Sequence, residues 1–133
     1  MNKAFFYIII FFCLNKLVVS QNLVPNPGFE EYWYCPDSQA NLCHIAGSTI
    51  APSPKYWFDP TCQSSDYHNS CSTNPETSVP QNVYGYQNAH AGNGYCGFGS
   101  QILLNNYSAS ISECIGVMLD SELVAGKQYE ISL

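Results

Sequence analysis

"AGNGYCGFGS", Ala91 to Ser100, is the stretch on which the fold class turns. Gly92, Gly94 and Gly97 are spaced G-x-G-x-x-G, the spacing that cradles a dinucleotide pyrophosphate. That reading needs a strand before the glycines, a helix after them and an acidic residue about twenty positions on. Here "QNAHA" precedes them and "YCGFGSQILL" continues as a strand. Asp120 and Glu122 lie further on, but no helical apolar pattern separates them from the glycines. The glycines are therefore read as a turn at Gly92 and Gly94. Gly97 and Gly99 follow in a strand, where they let a neighbouring strand or ring approach closely. No nucleotide is expected.

Working outward, the β reading holds on both sides. Tyr84-Gly85-Tyr86 and Tyr95-Cys96-Gly97-Phe98 read as two short strands joined by a Gly/Asn turn. In "SISECIGVML", residues 110–119, Ile111, Ile115, Val117 and Leu119 recur with a period of two, the mark of a half-buried strand. "DSELVAGKQ" turns at Gly126. In "QYEISL", Tyr129, Ile131 and Leu133 alternate against Gln128, Glu130 and Ser132. Upstream, "QNLVPNPGFEEYWYCP" carries Pro25, Pro27 and Gly28 and reads as an edge segment with a turn. Residues 37–82 are loop-rich, punctuated by Pro52, Pro54, Pro60, Pro75 and Pro80. No apolar run of period 3.6 follows residue 22, so no helix longer than about two turns is predicted. The chain stops on Leu133 in mid-alternation, so it is expected to continue in a longer protein.

The N-terminus reads as a secretory signal peptide over residues 1–20. Lys3 is followed by an apolar run from Ala4 to Leu14, and Ser20 offers a small residue for cleavage. Asn15 and Lys16 interrupt the run too early for a membrane span, which needs about 20 apolar residues. Phe12 before Cys13 is too bulky for a lipoprotein anchor. Removing residues 1–20 from the 133 leaves 113, one small domain at 21–133. Lys55 and Lys127 then face ten carboxylates, a formal charge of 2 − 10 = −8. So acidic a chain repels phosphate backbones, and nucleic acid is not an expected partner. Six cysteines remain: Cys35, Cys43, Cys62, Cys71, Cys96 and Cys114. In an exported chain they read as disulfides, with fifteen pairings open.

Three stretches together resemble a known family. "NLVPNPGFEEY" resembles the opening of carbohydrate-binding modules with a galactose-binding-like jelly roll. "AGNGYCGFGS" is similar to their central strand, and "LVAGKQYEISL" to the turn and strand that follow. The middle, "WFDPTCQSSDYHNSC…VPQNVYGYQNAHAGNGYCG", is closer to the N-terminal domains of large exported surface proteins of gliding Gram-negative bacteria. The resemblance spans residues 22–133. It implies an all-β, antiparallel jelly-roll β-sandwich, truncated here because its later strands are missing. It also implies a buried Glu30 and Trp57, and a structural calcium in the complete domain that Glu30 helps to hold. Calcium takes six to eight oxygen ligands, and the late carboxylate is absent from this chain. The pairing Cys35–Cys71 follows the family's common pair. Cys43–Cys62 brackets the proline-rich insert. Cys96–Cys114 joins two strands expected to be neighbours.

Candidate chemistry is weighed on these terms. Glycosidases need two carboxylates facing across a cleft. Glu30/Glu31, Asp59/Asp66 and Glu113 exist, but no local pattern sets such a pair. There is no G-x-S-x-G elbow, and His44, His68 and His90 lack metal-ligand spacing. The chain is read as non-catalytic. Sugar rings stack their C–H faces on aromatic rings, while amides and carboxylates bond the hydroxyls. Tyr67, Tyr84, Asp66, Asn69 and Gln87 are the candidate ligand-binding residues. The expected function is a secreted or cell-surface recognition module for a glycan, at the front of a larger envelope protein. The alternative is a structural adhesion domain that packs against an extracellular protein.

Overall fold

The computed structural model describes residues 21–43, 52–99, 102–104, 107–111 and 113–131; the leader expected at 1–20 lies outside them. Every element among the described residues is a short strand, and there is no helix. The strands are β1 (Trp57–Phe58), β2 (Asp66–Asn69), β3 (Gln81–Asn82), β4 (Gly85–Tyr86), β5 (Gly94–Gly97), β6 (Ile102–Leu104), β7 (Tyr107–Ile111) and β8 (Gly116–Val117). They pair antiparallel in four two-stranded sheets: β1 with β8, β2 with β5, β3 with β4, and β6 with β7. No helix among the described residues is long and apolar enough to cross a membrane.

The interior around β2 is polar. Leu42 and Tyr67 are the buried large apolar side chains among the described residues. Asn41, Ser53, Asp59, Thr77, Asn82 and Glu113 are buried beside them, and so is the whole of β2. Buried polar groups persist only when hydrogen-bonded, so this interior must be a network. Asn41 illustrates it. Its Oδ1 accepts from the Tyr67 N–H at 2.7 Å, and its Nδ2 donates to the Tyr67 carbonyl at 3.0 Å. One side chain thus replaces a neighbouring strand along that edge of β2.

Several expectations are corrected. Tyr84–Tyr86 and Tyr95–Phe98 are not partners. β4 closes a tight hairpin on β3, with Gln81 opposite Tyr86, while β5 crosses to β2, with Tyr67 opposite Cys96. A two-residue loop satisfies β4 locally, whereas the buried β2 needs a long partner. The strand expected at 110–119 breaks between β7 and β8, because the Glu113 N–H bonds the Gly99 carbonyl and its side chain is drawn inward. Residues 128–131 form no strand, although a turn is present at Gly126, where the Lys127 N–H bonds the Val124 carbonyl. Their alternation finds no ladder partner among the described residues. Trp57 is half-buried, its ring tilted against Phe29 with centroids 4.6 Å apart and its indole N–H on the Asn26 carbonyl. Glu30 is exposed, for a reason given below.

Two disulfides are present, Cys35–Cys71 and Cys43–Cys62, the chemistry of an oxidising compartment. The expected Cys96–Cys114 bond is not formed, and both thiols are free. Cys96 lies on β5, which pairs with β2; Cys114 precedes β8, which pairs with β1. The strand neighbourhood on which that bond depended does not exist. Burial, and then the charge of Asp66, push the Cys96 thiol well above its usual range, which favours the protonated thiol over the thiolate.

Loop closure ranks the two bridges. A sequence separation of 36 residues predicts a loss of about 4 kcal/mol for Cys35→Ser with Cys71→Ser. A separation of 19 predicts about 3 kcal/mol for Cys43→Ser with Cys62→Ser. Urea unfolding of both double variants should give that order. Thiol titration of the denatured, unreduced chain from residue 21 onward should find Cys96 and Cys114 only.

Candidate functional site

Three of the five candidate ligand residues are interior. Tyr67 is 0% exposed; its hydroxyl donates to the Phe29 carbonyl at 2.8 Å and accepts from Asn69 Nδ2 at 2.6 Å. Burial, before any neighbouring charge, pushes the Tyr67 phenol far above its usual range. Asn69 is fully enclosed and uses its Oδ1 on the Cys71 N–H at 2.9 Å. Asp66 is buried, accepting from the Ala40 N–H at 2.6 Å and the Tyr84 hydroxyl at 2.7 Å. These three side chains are buried and hydrogen-bonded within the structure. The polar "DYHN" segment reads as a surface loop in sequence, yet it forms the most enclosed strand described.

Tyr84 and Gln87 do reach solvent, and Tyr86 joins them. Tyr84 and Tyr86 are each 69% exposed, and Gln87 is exposed beside them. All three lie on or next to the β3–β4 hairpin, which is fastened to β2 and β5 from beneath. The Tyr84 hydroxyl reaches Asp66, and Asn82 Nδ2 donates to the Tyr95 hydroxyl at 2.5 Å. Between these anchors sits His68. It meets the Tyr84 ring edge-on at 5.8 Å and the Tyr95 ring at 5.2 Å. His68 Nδ1 is buried without a hydrogen-bond partner. Burial lowers the His68 pKa despite the opposing pull of Asp66. Burial of the hydroxyl, then Asp66, then the charge of Glu113 push Tyr84 up to about 12. Its ring is thus exposed while its hydroxyl stays a fixed donor.

The carboxylates act as staples for turns. Glu30 Oε1 accepts from the Asn93 N–H at 2.6 Å and the Gly94 N–H at 3.1 Å, and its Oε2 from Asn93 Nδ2 at 3.0 Å. Burial opposes ionisation, but these three donors outweigh it and lower the pKa. Asp59 accepts from the Thr61 N–H at 2.8 Å and the Gln63 N–H at 3.0 Å. Glu113 takes the Gly99 N–H at 2.5 Å and the Ser64 hydroxyl. A calcium does not fit Glu30. Its oxygens face N–H donors, and among the described residues no three His, Cys, Asp or Glu stand together to hold a metal. The shallow polar depression beside it, about 330 Å³, is lined by Glu30, Tyr32, Asn69, Ser70, Cys71 and Asn93. Its carboxylate is already committed to the turn.

A further exposed aromatic lies away from the hairpin. Trp33 is 65% exposed, with Lys55 Nζ 5.0 Å from its ring centroid and Glu31 Oε2 3.6 Å from that ammonium. In sequence, Trp33 sits in the aromatic run Tyr32-Trp33-Tyr34. Its meeting with Lys55, 22 positions along, carries no local signal. Comparison with family models, curated proteins and solved structures gives no match to this chain.

Two tests follow from this geometry. Gly92 has φ +71°, and a Cβ there would stand 2.3 Å from Glu30 Oε1. Gly92→Ala should cost about 2–3 kcal/mol, falling to about 1 kcal/mol in a Glu30→Ala background, where only backbone strain remains. Chemical denaturation of the four-variant cycle measures this. His68 supplies the second test. Burial disfavours its charged form in the folded chain, so its contribution is full above the ordinary value of 6.5. As pH falls below that value the unfolded chain takes the proton first, and stability is lost. The urea midpoint should drop between pH 7.5 and pH 5, and His68→Phe should flatten that drop. Glu30 acts lower down: its stabilisation is lost as pH falls below the ordinary 4.5, and His68→Phe leaves it intact.

Proposed function

We propose that the chain is an exported, non-catalytic recognition module of jelly-roll plan that binds glycans at the front of a larger envelope protein. The observation that carries this reading is Tyr84, a ring 69% exposed to solvent whose hydroxyl is pinned to buried Asp66 at 2.7 Å. An aromatic ring already held in one orientation loses little freedom when a sugar stacks on it. Tyr86 extends the platform, and Gln81 and Gln87 bring side-chain amides for hydroxyl groups. Support for the non-catalytic part is that Glu30, Asp59, Asp66 and Glu113 are engaged with backbone or side-chain donors. The leader-like residues 1–20 and the two disulfides support export.

A second reading, adhesion to an extracellular protein, draws on a different observation. Met118, Leu123, Val124 and Ile131 are each more than half exposed along one segment. Clustered exposed apolar side chains mark protein contacts.

A glycan array probed with the full chain separates the two. A bound glycan should lose about tenfold in affinity on Tyr84→Ala, the worth of one aromatic stack. Tyr84→Phe should lose less, since it keeps the ring but frees its orientation. An array without hits favours adhesion.

A further inference from the structure

We propose that Trp33, Lys55 and Glu31 form a second ligand site, separate from the hairpin, that takes a neutral sugar through two adjacent hydroxyls. The proposal rests on the glycan reading but not on Tyr84. Segments 31–33 and 53–55 run antiparallel: the Trp33 N–H bonds the Ser53 carbonyl and the Lys55 N–H the Glu31 carbonyl, both at 2.9 Å, around a Tyr32–Pro54 bridge. Side chains alternate across such a pair. Pro54 is buried and Tyr32 turns toward Tyr67, so Glu31, Trp33 and Lys55 share the outward face.

The face is held from behind. Asn26 Nδ2 donates to the Glu31 carbonyl at 2.8 Å and the Lys55 carbonyl at 3.1 Å, and its Oδ1 accepts from the Glu31 N–H at 2.9 Å. Across from Trp33, the Ser53 hydroxyl donates to the Tyr34 carbonyl at 2.7 Å, and the Cys35–Cys71 bridge follows two residues after Trp33. Both segments are thereby fixed before any ligand arrives.

The chemistry on this face is complementary to a diol. The indole offers a surface for C–H groups. An ammonium has three N–H donors, and its contact with Glu31 leaves two. The Glu31 carboxylate, more than half exposed, keeps acceptor capacity. A donor and an acceptor 3.6 Å apart match neighbouring hydroxyls, one accepting from Lys55 and one donating to Glu31. The pair carries no net charge, and the chain has a formal charge of −6, so an anionic ligand is disfavoured.

The test is a titration of the full chain with neutral mannan, β-1,4-glucan and galactan oligosaccharides, and with polygalacturonate as the acidic comparator. Tryptophan emission and calorimetry are the readouts, in the parent, Trp33→Ala, Glu31→Gln and Tyr84→Ala chains. A neutral oligosaccharide should perturb the emission of Trp33, and this response should be absent in Trp33→Ala and persist in Tyr84→Ala. Glu31→Gln, which leaves the backbone untouched, should weaken binding about tenfold, the worth of one charge-assisted bond. Neutral binding that depends on Tyr84 but not on Trp33 or Glu31 overturns this proposal and leaves the hairpin reading standing. Tighter binding of polygalacturonate through Trp33 overturns the neutral class. No binding of any probe overturns both readings.

Discussion

The fold depends on satisfying β2, a strand whose four residues are all enclosed and none of which is aliphatic. An isolated buried amide or carboxylate costs several kcal/mol, so Asp66, Tyr67 and Asn69 each hold partners in fixed positions, and His68 Nδ1 is the one buried polar side-chain atom of "DYHN" left without one. Those partners come from far along the chain: Ala40 and Asn41, Phe29, Thr77, Tyr84 and the β5 backbone. Placing them draws five segments around one short strand. A greasy core tolerates sliding, whereas a hydrogen-bonded one specifies register. The two disulfides fasten loops that an interior so poor in aliphatic side chains would hold weakly.

Carboxylates close the loops around this centre. The amides of the Gly92–Gly94 turn converge as they would on a phosphate, and the anion they meet is Glu30 of the same chain. The G-x-G-x-x-G spacing is thus used for what its backbone can do, gathering N–H groups around a negative charge, without a nucleotide. Gly92 is needed for its positive φ and because a Cβ there would collide with that carboxylate. Glu30 lies near the surface, but it ties the entry segment to β5 and so braces the edge on which Tyr32 and Trp33 stand.

Polar groups inside leave aromatic rings outside. Tyr84 and Trp33 are both exposed and both restrained, one through its hydroxyl and one through its backbone ladder. Restraint gives an exposed ring value for recognition, because ordering costs are met in folding rather than at binding. His68 lies under the hairpin with an unpaired Nδ1, so acid weakens the support of that platform.

The sequence by itself determined the all-β class, since alternation and dense turn residues leave no helical period. It also determined the bend at Gly92, although Gly94, read with it, opens β5 instead. The Cys35–Cys71 and Cys43–Cys62 pairs agreed with a preferred pairing that residue spacing alone left open among fifteen. Only the tertiary structure decided that Asp66, Tyr67 and Asn69 are interior, that β5 pairs with β2 and not with β4, and that Cys96 and Cys114 stay apart. The reason is physical. Periodicity reports which side of a strand avoids water, and in "DYHN" both sides are enclosed by polar partners, so no alternation exists to read. Hydrogen-bond partners 25 or more residues away, such as Asn41 for Tyr67 and Glu30 for Gly94, have no signature along the chain and exist only once the chain has closed.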